Sequence, residues 1–431
     1  MTLRDSPVRP SRATWAWAMY DFANSGYTTV VLTAVYNAYF VGVVAGQMGI
    51  GGATLLWTLS LGVSNALVIL SAPLIGTLAD AWAAKKPFLA LSTGVCIVST
   101  ALLGLVESLP LAVGLLVVSN LAFATGENLI SAFLPEIAPE GKIGRISAFG
   151  WSLGYLGGLT VLGLCLGAIA ALGPRAEALG VPFAMGIVAL CYGLAALPTF
   201  IWVPERSRPR KHGPGTAFSR LKRIAADLGR FPELRAFLTS AFATACGTFT
   251  VIVMAAIYAR EVFGFDLSET LGLIVALNLA AAAGALGFGQ LQDRWGSVPA
   301  LAASLALWVV SLALAFAAQS RISFWVAALG IGLALGGSQS VSRALLGILA
   351  PEGRFAEFYG VWGMTLRLAA IVGPASYGAI AASTGGNLRL GLLSTAAYFI
   401  VGGLLLLRVD ETRGKEDARR MGLPRDEAPT P

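Results

Sequence analysis

The chain has 431 residues, of which 56% are hydrophobic and 12% charged, with a mean hydropathy of +0.74. Soluble domains carry about 25% charged residues, so this composition excludes an ordinary soluble enzyme, a disordered chain and a disulfide scaffold. The net charge of +7, from 30 Lys+Arg against 23 Asp+Glu, would suggest nucleic acid in a soluble protein, so the placement of the basic residues decides its meaning.

A membrane-spanning helix needs about 20 apolar residues. Twelve apolar segments are predicted, near 15–45, 54–79, 87–106, 111–135, 146–171, 182–203, 237–261, 268–291, 299–318, 323–349, 356–383 and 389–408. An even number puts both termini on one side. That side collects 24 of the basic residues: Arg4, Arg9 and Arg12, the loops after even-numbered spans, and the tail from Arg408. The other side has Arg175, Arg260, Arg321 and Arg389, and two arginines fall inside spans. Basic loops stay in the cytoplasm, so both termini are expected there and nucleic acid is excluded as a partner.

The expected organisation is a cytoplasmic N-tail (1–14), a six-helix bundle (15–203), a cytoplasmic linker (204–236), a second six-helix bundle (237–408) and a cytoplasmic C-tail (409–431). In the linker, Phe218, Leu221, Ile224 and Leu228 recur at helical spacing among basic residues, which predicts an amphipathic helix on the membrane surface. The four cysteines lie in apolar runs and the single histidine, His212, lies in the linker, so no metal site is expected. No phosphate-binding G-x-x-x-x-G-K-[ST] run occurs, and no cofactor is expected.

The two halves repeat each other. Gly76-Thr-Leu-Ala-Asp80 returns as Gly289-Gln-Leu-Gln-Asp293, and Ala138-Pro-Glu-Gly141 returns as Ala350-Pro-Glu-Gly353. Both pairs fall at matching places, after the second and fourth spans of each half. Two six-span halves about an axis along the membrane normal are a recurrent transporter plan. The glycines allow close helix approach, and the aspartates at helix ends can meet the positive N-terminus of a neighbouring helix.

Gly76, Asp80, Lys85 and Lys86, with Gly289, Asp293 and Arg294, resemble the G-x-x-x-D-R-x-G-R/K loop of the major facilitator superfamily. The resemblance implies an all-α membrane fold of twelve helices in two pseudo-symmetric bundles. It also implies a conformational latch built from Gly76, Asp80, Lys85, Gly289, Asp293 and Arg294. Tyr20-Asp-Phe-Ala-Asn-Ser-Gly-Tyr27, Phe133-Leu-Pro-Glu136 and Gly337-Ser-Gln-Ser-Val-Ser-Arg343 are similar to motifs of the vacuolar amino-acid effluxer-like branch. That resemblance implies amino-acid transport.

A charge at mid-bilayer costs about 2.5–3.5 kcal/mol on insertion scales, so the few intramembrane charges mark a site. Asp21, Glu127, Arg343 and Arg367 fall in spans 1, 4, 10 and 11, whereas the interiors of spans 3, 6, 9 and 12 have none. Those four uncharged spans are expected to face lipid. The expected substrate site takes a zwitterion. Arg367 would hold a carboxylate, Glu127 or Asp21, with Asn24 and Tyr27, would face an amine, and Arg343 is counted among the site residues. Trp151, Tyr155 and Trp362 would form the walls. Gln339 joins them because the repeat aligns it with Glu127. A second reading makes Asp21, Glu127 and Arg343 an ion-pair gate between the halves. Glu127 and Asp21 are also the candidate proton-coupling groups.

The expected function is secondary transport of a small polar solute, amino acids foremost, and not catalysis. The expected partners are that solute, the lipid bilayer and protons, in a monomer of a bacterial inner membrane. A carrier for a peptide, sugar or drug, or a non-transporting receptor on the same fold, is the alternative.

Overall fold

The computed structural model describes residues 10–206, 226, 228–385 and 387–422. The amphipathic helix expected at 218–228 and His212 lie almost wholly outside them. Twelve long helices occur among the described residues, and no strand: α1 (Arg12–Val44), α2 (Gly49–Ala81), α3 (Lys85–Leu103), α4 (Leu109–Ser131), α5 (Ile143–Leu172), α6 (Ala176–Trp202), α7 (Pro232–Phe263), α8 (Leu267–Trp295), α9 (Ser297–Ala317), α10 (Arg321–Leu349), α11 (Phe355–Ser383) and α12 (Leu388–Leu406). A polar helix, α13 (Glu411–Gly422), follows. The all-helical architecture predicted from the hydropathy pattern is thus present.

Local chemistry sets the helix ends. Proline opens α7, and Gly264, at φ 64°, closes it in the left-handed conformation that a side chain disfavours. Asp266 caps α8 in a reciprocal box with Glu269. Helix α6 begins at Ala176, earlier than the apolar run suggested, and has Pro182 inside it. Helix α1 widens into π-helical turns at Thr28–Ala34 and Phe40–Val44. There the Thr33 hydroxyl and Asn37 amide donate to carbonyls five residues back, at 3.0 and 3.4 Å.

Helices α1–α6 and α7–α12 form two bundles. On α3, Leu91, Val98 and Leu102 stay exposed, as do Leu190, Leu194 and Ile201 on α6, Val310 and Leu314 on α9, and Ile400, Val401 and Leu404 on α12. These apolar faces suit lipid, as do those of α2, where Leu55, Leu59 and Leu70 are exposed.

The bundles meet along two related seams, α2 against α11 and α5 against α8. A Cβ on Gly76 would lie 2.1 Å from the Ala356 carbonyl oxygen, and one on Gly289 would lie 2.7 Å from that of Gly144. Only glycine permits this approach. Adding the methyl in Gly76→Ala should destabilise by about 1–3 kcal/mol, the usual cost of overpacking, and lower the thermal midpoint in detergent. An unchanged midpoint would contradict the close seam.

Candidate functional site

The end of the molecule that carries Arg12 and the basic loops is tied shut by carboxylates at helix N-termini. Asp80, at the end of α2, accepts from the Glu357 backbone N–H in the first turn of α11 at 2.8 Å. Asp293, at the end of α8, accepts from Gly144 and Arg145 N–H in the first turn of α5, at 2.9 and 3.2 Å. The Arg145 side chain adds an ion pair to Asp293 at 3.3 Å. Each aspartate therefore reaches from one bundle into the other, toward the positive end of a helix dipole.

Two further residues of the expected latch lie at the same end. Lys85 is fully buried, pairs with Glu136 and lies over the Phe133 ring at 4.9 Å, all within the first bundle. It braces α3 against the end of α4 and does not join the bundles. Arg294 lies on the exposed side of the α8 end.

Sequence reasoning missed a second set of caps. Glu205, after α6, accepts from Lys85 and Lys86 N–H at the start of α3, at 2.5 and 3.2 Å. Glu411, after α12, accepts from Ser297 N–H at the start of α9 at 2.7 Å. The signal was a short echo, Val203-Pro-Glu205 against Val409-Asp-Glu411, with both valines buried. Helix α13 also bridges the bundles at this end, since Arg419 and Lys415 lie 3.0 and 3.7 Å from Glu140 in the loop before α5.

Deeper in the membrane two ion pairs cross between the bundles, each with its carboxylate on the first and its guanidinium on the second. Asp21 and Arg343 meet at 2.8 Å, with side chains 11% and 3% exposed. Arg343 also donates to the Ser147 carbonyl at 2.8 Å and hydroxyl at 3.2 Å, and it stacks between Trp17 and Trp151 at 4.7 and 5.2 Å. A Cβ on Gly150 would lie 2.3 Å from the Asp21 carboxylate, so α5 must carry glycine there to seat the pair. Tyr359 donates to the Arg343 carbonyl at 2.8 Å.

Glu127 and Arg367 form the second pair at 2.9 Å, with side chains 36% and 16% exposed. Arg367 lies 6.0 Å from the Phe123 ring centroid. Tyr155 crosses the interface to donate to Gln339 at 2.9 Å, and its ring lies 5.7 Å from that of Trp151. The Nε1–H groups of Trp151 and Trp362 are buried without an acceptor among the described residues. The described hydrogen bonds and ion pairs between the bundles extend from the basic end only to the level of Tyr155 and Arg367. That level is about 18 Å along α5 and α11 from their basic ends, at 1.5 Å per residue.

Two expected contacts to an amine are turned into the first bundle instead. Asn24 accepts from the Tyr192 hydroxyl at 2.5 Å, and Tyr27 bonds Ser119 at 2.8 Å while stacking on Phe123 at 4.9 Å. Both are buried. At 3.6 residues per turn Asn24 lies about 60° and Tyr27 about 120° around α1 from Asp21, whose carboxylate meets the second bundle.

Removing one partner of a sealed ion pair leaves a buried charge. Arg343→Gln should therefore cost about 3–5 kcal/mol. Adding Asp21→Asn to it should recover much of that loss. Thermal unfolding of the two variants checks this, and equal losses would contradict the coupling.

A family model described as "Vacuole effluxer Atg22 like" matches residues 53–419. An MFS-type transporter, YxiO of Bacillus subtilis, is 27% identical over 92% of this chain and 94% of its own length. Autophagy-related protein 22 of Cryptococcus neoformans is 26% identical over 64% of this chain and 52% of its own length, so the chain spans about half of that fungal relative. Among solved structures, the human organic anion transporter MFSD10 superposes with a TM-score of 0.75 at 16% identity, covering 93% of this chain and 100% of that one. The proton:xylose symporter XylE gives 0.74 at 16%, covering 94% and 96%. With a family match over most of its length and this fold, the chain is a major facilitator superfamily transporter belonging to the Atg22-like vacuole effluxer family.

Proposed function

We propose that the protein is a secondary transporter of small zwitterionic solutes, amino acids foremost, which bind between Glu127 and Arg367 and cross by alternating access. One observation carries this reading. Of the two charge pairs that join the bundles deep in the membrane, Glu127–Arg367 is the more accessible, with a 36% exposed carboxylate and one described contact of 2.9 Å. A zwitterion can replace both partners at once, its carboxylate on the guanidinium and its ammonium on Glu127. The unpartnered indole N–H groups of Trp151 and Trp362, and the Tyr155–Gln339 pair, supply further polar contacts around a solute. Asp21–Arg343 then serves as the gate, because its members are buried against each other, and Asp80 and Asp293 serve as latches that release when the basic end opens.

The 24-to-4 distribution of basic residues supports an orientation with both termini in the cytoplasm, in a bacterial inner membrane. Both charges of the site come from one chain, which supports a monomer as the working unit. Proton coupling is the second reading. Glu127 is its proton site, because its exposed carboxylate can reach water whereas Asp21 is sealed.

Counterflow in proteoliposomes with a labelled amino-acid mixture tests the proposal. The wild type should accumulate label. Arg367→Gln should lose it by more than about tenfold, since a charged hydrogen-bond partner contributes about 1.5–3 kcal/mol. Accumulation that Arg367→Gln leaves intact, or none by folded wild type, would overturn the site or the solute class. Accumulation that follows an imposed pH gradient, and loses that response in Glu127→Gln, would support the proton reading.

A further inference from the structure

We infer that Asn128 is a further solute ligand, donating from its side-chain amide to the solute carboxylate beside Arg367, and that Gly363 is the positioning residue that seats it there. This rests on the proposed reading of Glu127–Arg367 as the solute site and deepens it.

Asn128 follows Glu127 on α4, and both side chains turn toward α11. Glu127 meets Arg367 at 2.9 Å. Asn128 lies flat against Gly363: a Cβ on that glycine would lie 2.2 Å from the Asn128 Oδ1 and 2.4 Å from its Nδ2. Gly363 and Arg367 stand at i and i+4, so they share one face of α11. Helix α11 starts at the basic end, and the side chains of a helix lean toward its N-terminus. Arg367 therefore leans over the turn that holds Gly363, and the glycine leaves room for the amide of Asn128 beside it. A side chain at 363 would displace that amide.

Asn128 is 8% exposed, and its amide has no hydrogen bond among the described residues. The other buried asparagines of the first bundle are bonded, Asn24 to Tyr192 and Asn120 to Ser64. A buried amide left unpaired is costly, so packing alone does not account for this one. Its chemistry fits a carboxylate. A carboxylate has about four lone-pair sites, of which one guanidinium edge fills about two. The rest call for N–H donors. Asn128 supplies the two N–H groups of its amide, and Trp362, beside Gly363 in α11, supplies a buried indole N–H without a described acceptor. The ammonium already has the Glu127 carboxylate. The surplus of donors next to Arg367 therefore assigns Asn128 to the carboxylate end of the solute.

Competition binding to the purified protein tests this by comparing a zwitterionic amino acid with the corresponding amine, which lacks the carboxyl group. Asn128→Ala should weaken the amino acid by about tenfold or more and leave the amine unchanged, because only the amino acid loses a hydrogen bond to a charged group. A loss of packing would instead lower both alike. Asn128→Asp keeps the shape and replaces the donors with a carboxylate, so it should weaken the amino acid at least as far. Gly363→Ala should imitate Asn128→Ala, and the double variant should bind no worse than either single one, because the glycine acts through the amide. Asn128→Ala also removes the atoms that a Cβ at 363 would meet first, so the double variant should fold even where Gly363→Ala alone does not. An unchanged amino-acid affinity in Asn128→Ala, equal losses for amino acid and amine, or tighter binding in Asn128→Asp would overturn the inference. The Glu127–Arg367 site would still stand in those cases if Arg367→Gln abolishes binding. Wild type that binds no amino acid would remove the solute reading, and this inference with it.

Discussion

Every charge placed inside a bilayer has to be matched, and this chain matches its four between its two halves. Asp21 and Glu127 come from the first bundle and Arg343 and Arg367 from the second, and each carboxylate has its own guanidinium. A charge costs about 2.5–3.5 kcal/mol at mid-membrane on insertion scales, so the pairing stabilises the contact between bundles that apolar packing alone would leave weak in lipid. The two pairs differ in what surrounds them. Arg343 has a serine carbonyl, a serine hydroxyl and two indole rings as well as Asp21, and its side chain is only 3% exposed. Arg367 has one described carboxylate contact and remains partly open. A structural tie and a binding site are thus built from the same chemistry, separated by how completely the guanidinium is satisfied.

At the basic end the same economy of design uses helix dipoles. Asp80 and Asp293 cap helices of the opposite bundle, and Glu205 and Glu411 cap helices of their own. Each such contact is worth about 0.3–2 kcal/mol, so the ones within a bundle stiffen it while the ones between bundles remain breakable. That arrangement suits an assembly whose halves are stiff and are joined at this end by contacts that can break. The glycines at 76 and 289 belong to the same device, since the aspartates reach their targets only because the seams are this close.

Much of this was legible in the sequence because it follows from periodicity and charge. Hydropathy located twelve helices, the repeat at Gly76…Asp80 and Gly289…Asp293 located both seams, and the rarity of intramembrane charge located the four paired residues. What remained hidden concerns direction around a helix axis. Asn24 and Tyr27 lie near Asp21 on α1, yet they face α6 and α4, because a helical face is broad and its neighbours are set by tertiary packing. Lys85 carries the right residue type for a latch, but the carboxylate it pairs with directly, Glu136, belongs to its own bundle. The partners within each pair were also not readable, since any of the carboxylates can meet either arginine by composition alone. The capping glutamates after α6 and α12 were missed because their echo is three residues long.

The most direct test of a two-charge solute site is equilibrium binding to the purified protein. Zwitterionic amino acids should be compared with their C-terminal amides and with the corresponding carboxylic acids that lack the amine. Loss of either charge should weaken binding by at least about tenfold, because each leaves one member of the Glu127–Arg367 pair without a partner. Binding that is indifferent to both changes would contradict the account, because it would mean that the accessible ion pair does not contact the solute.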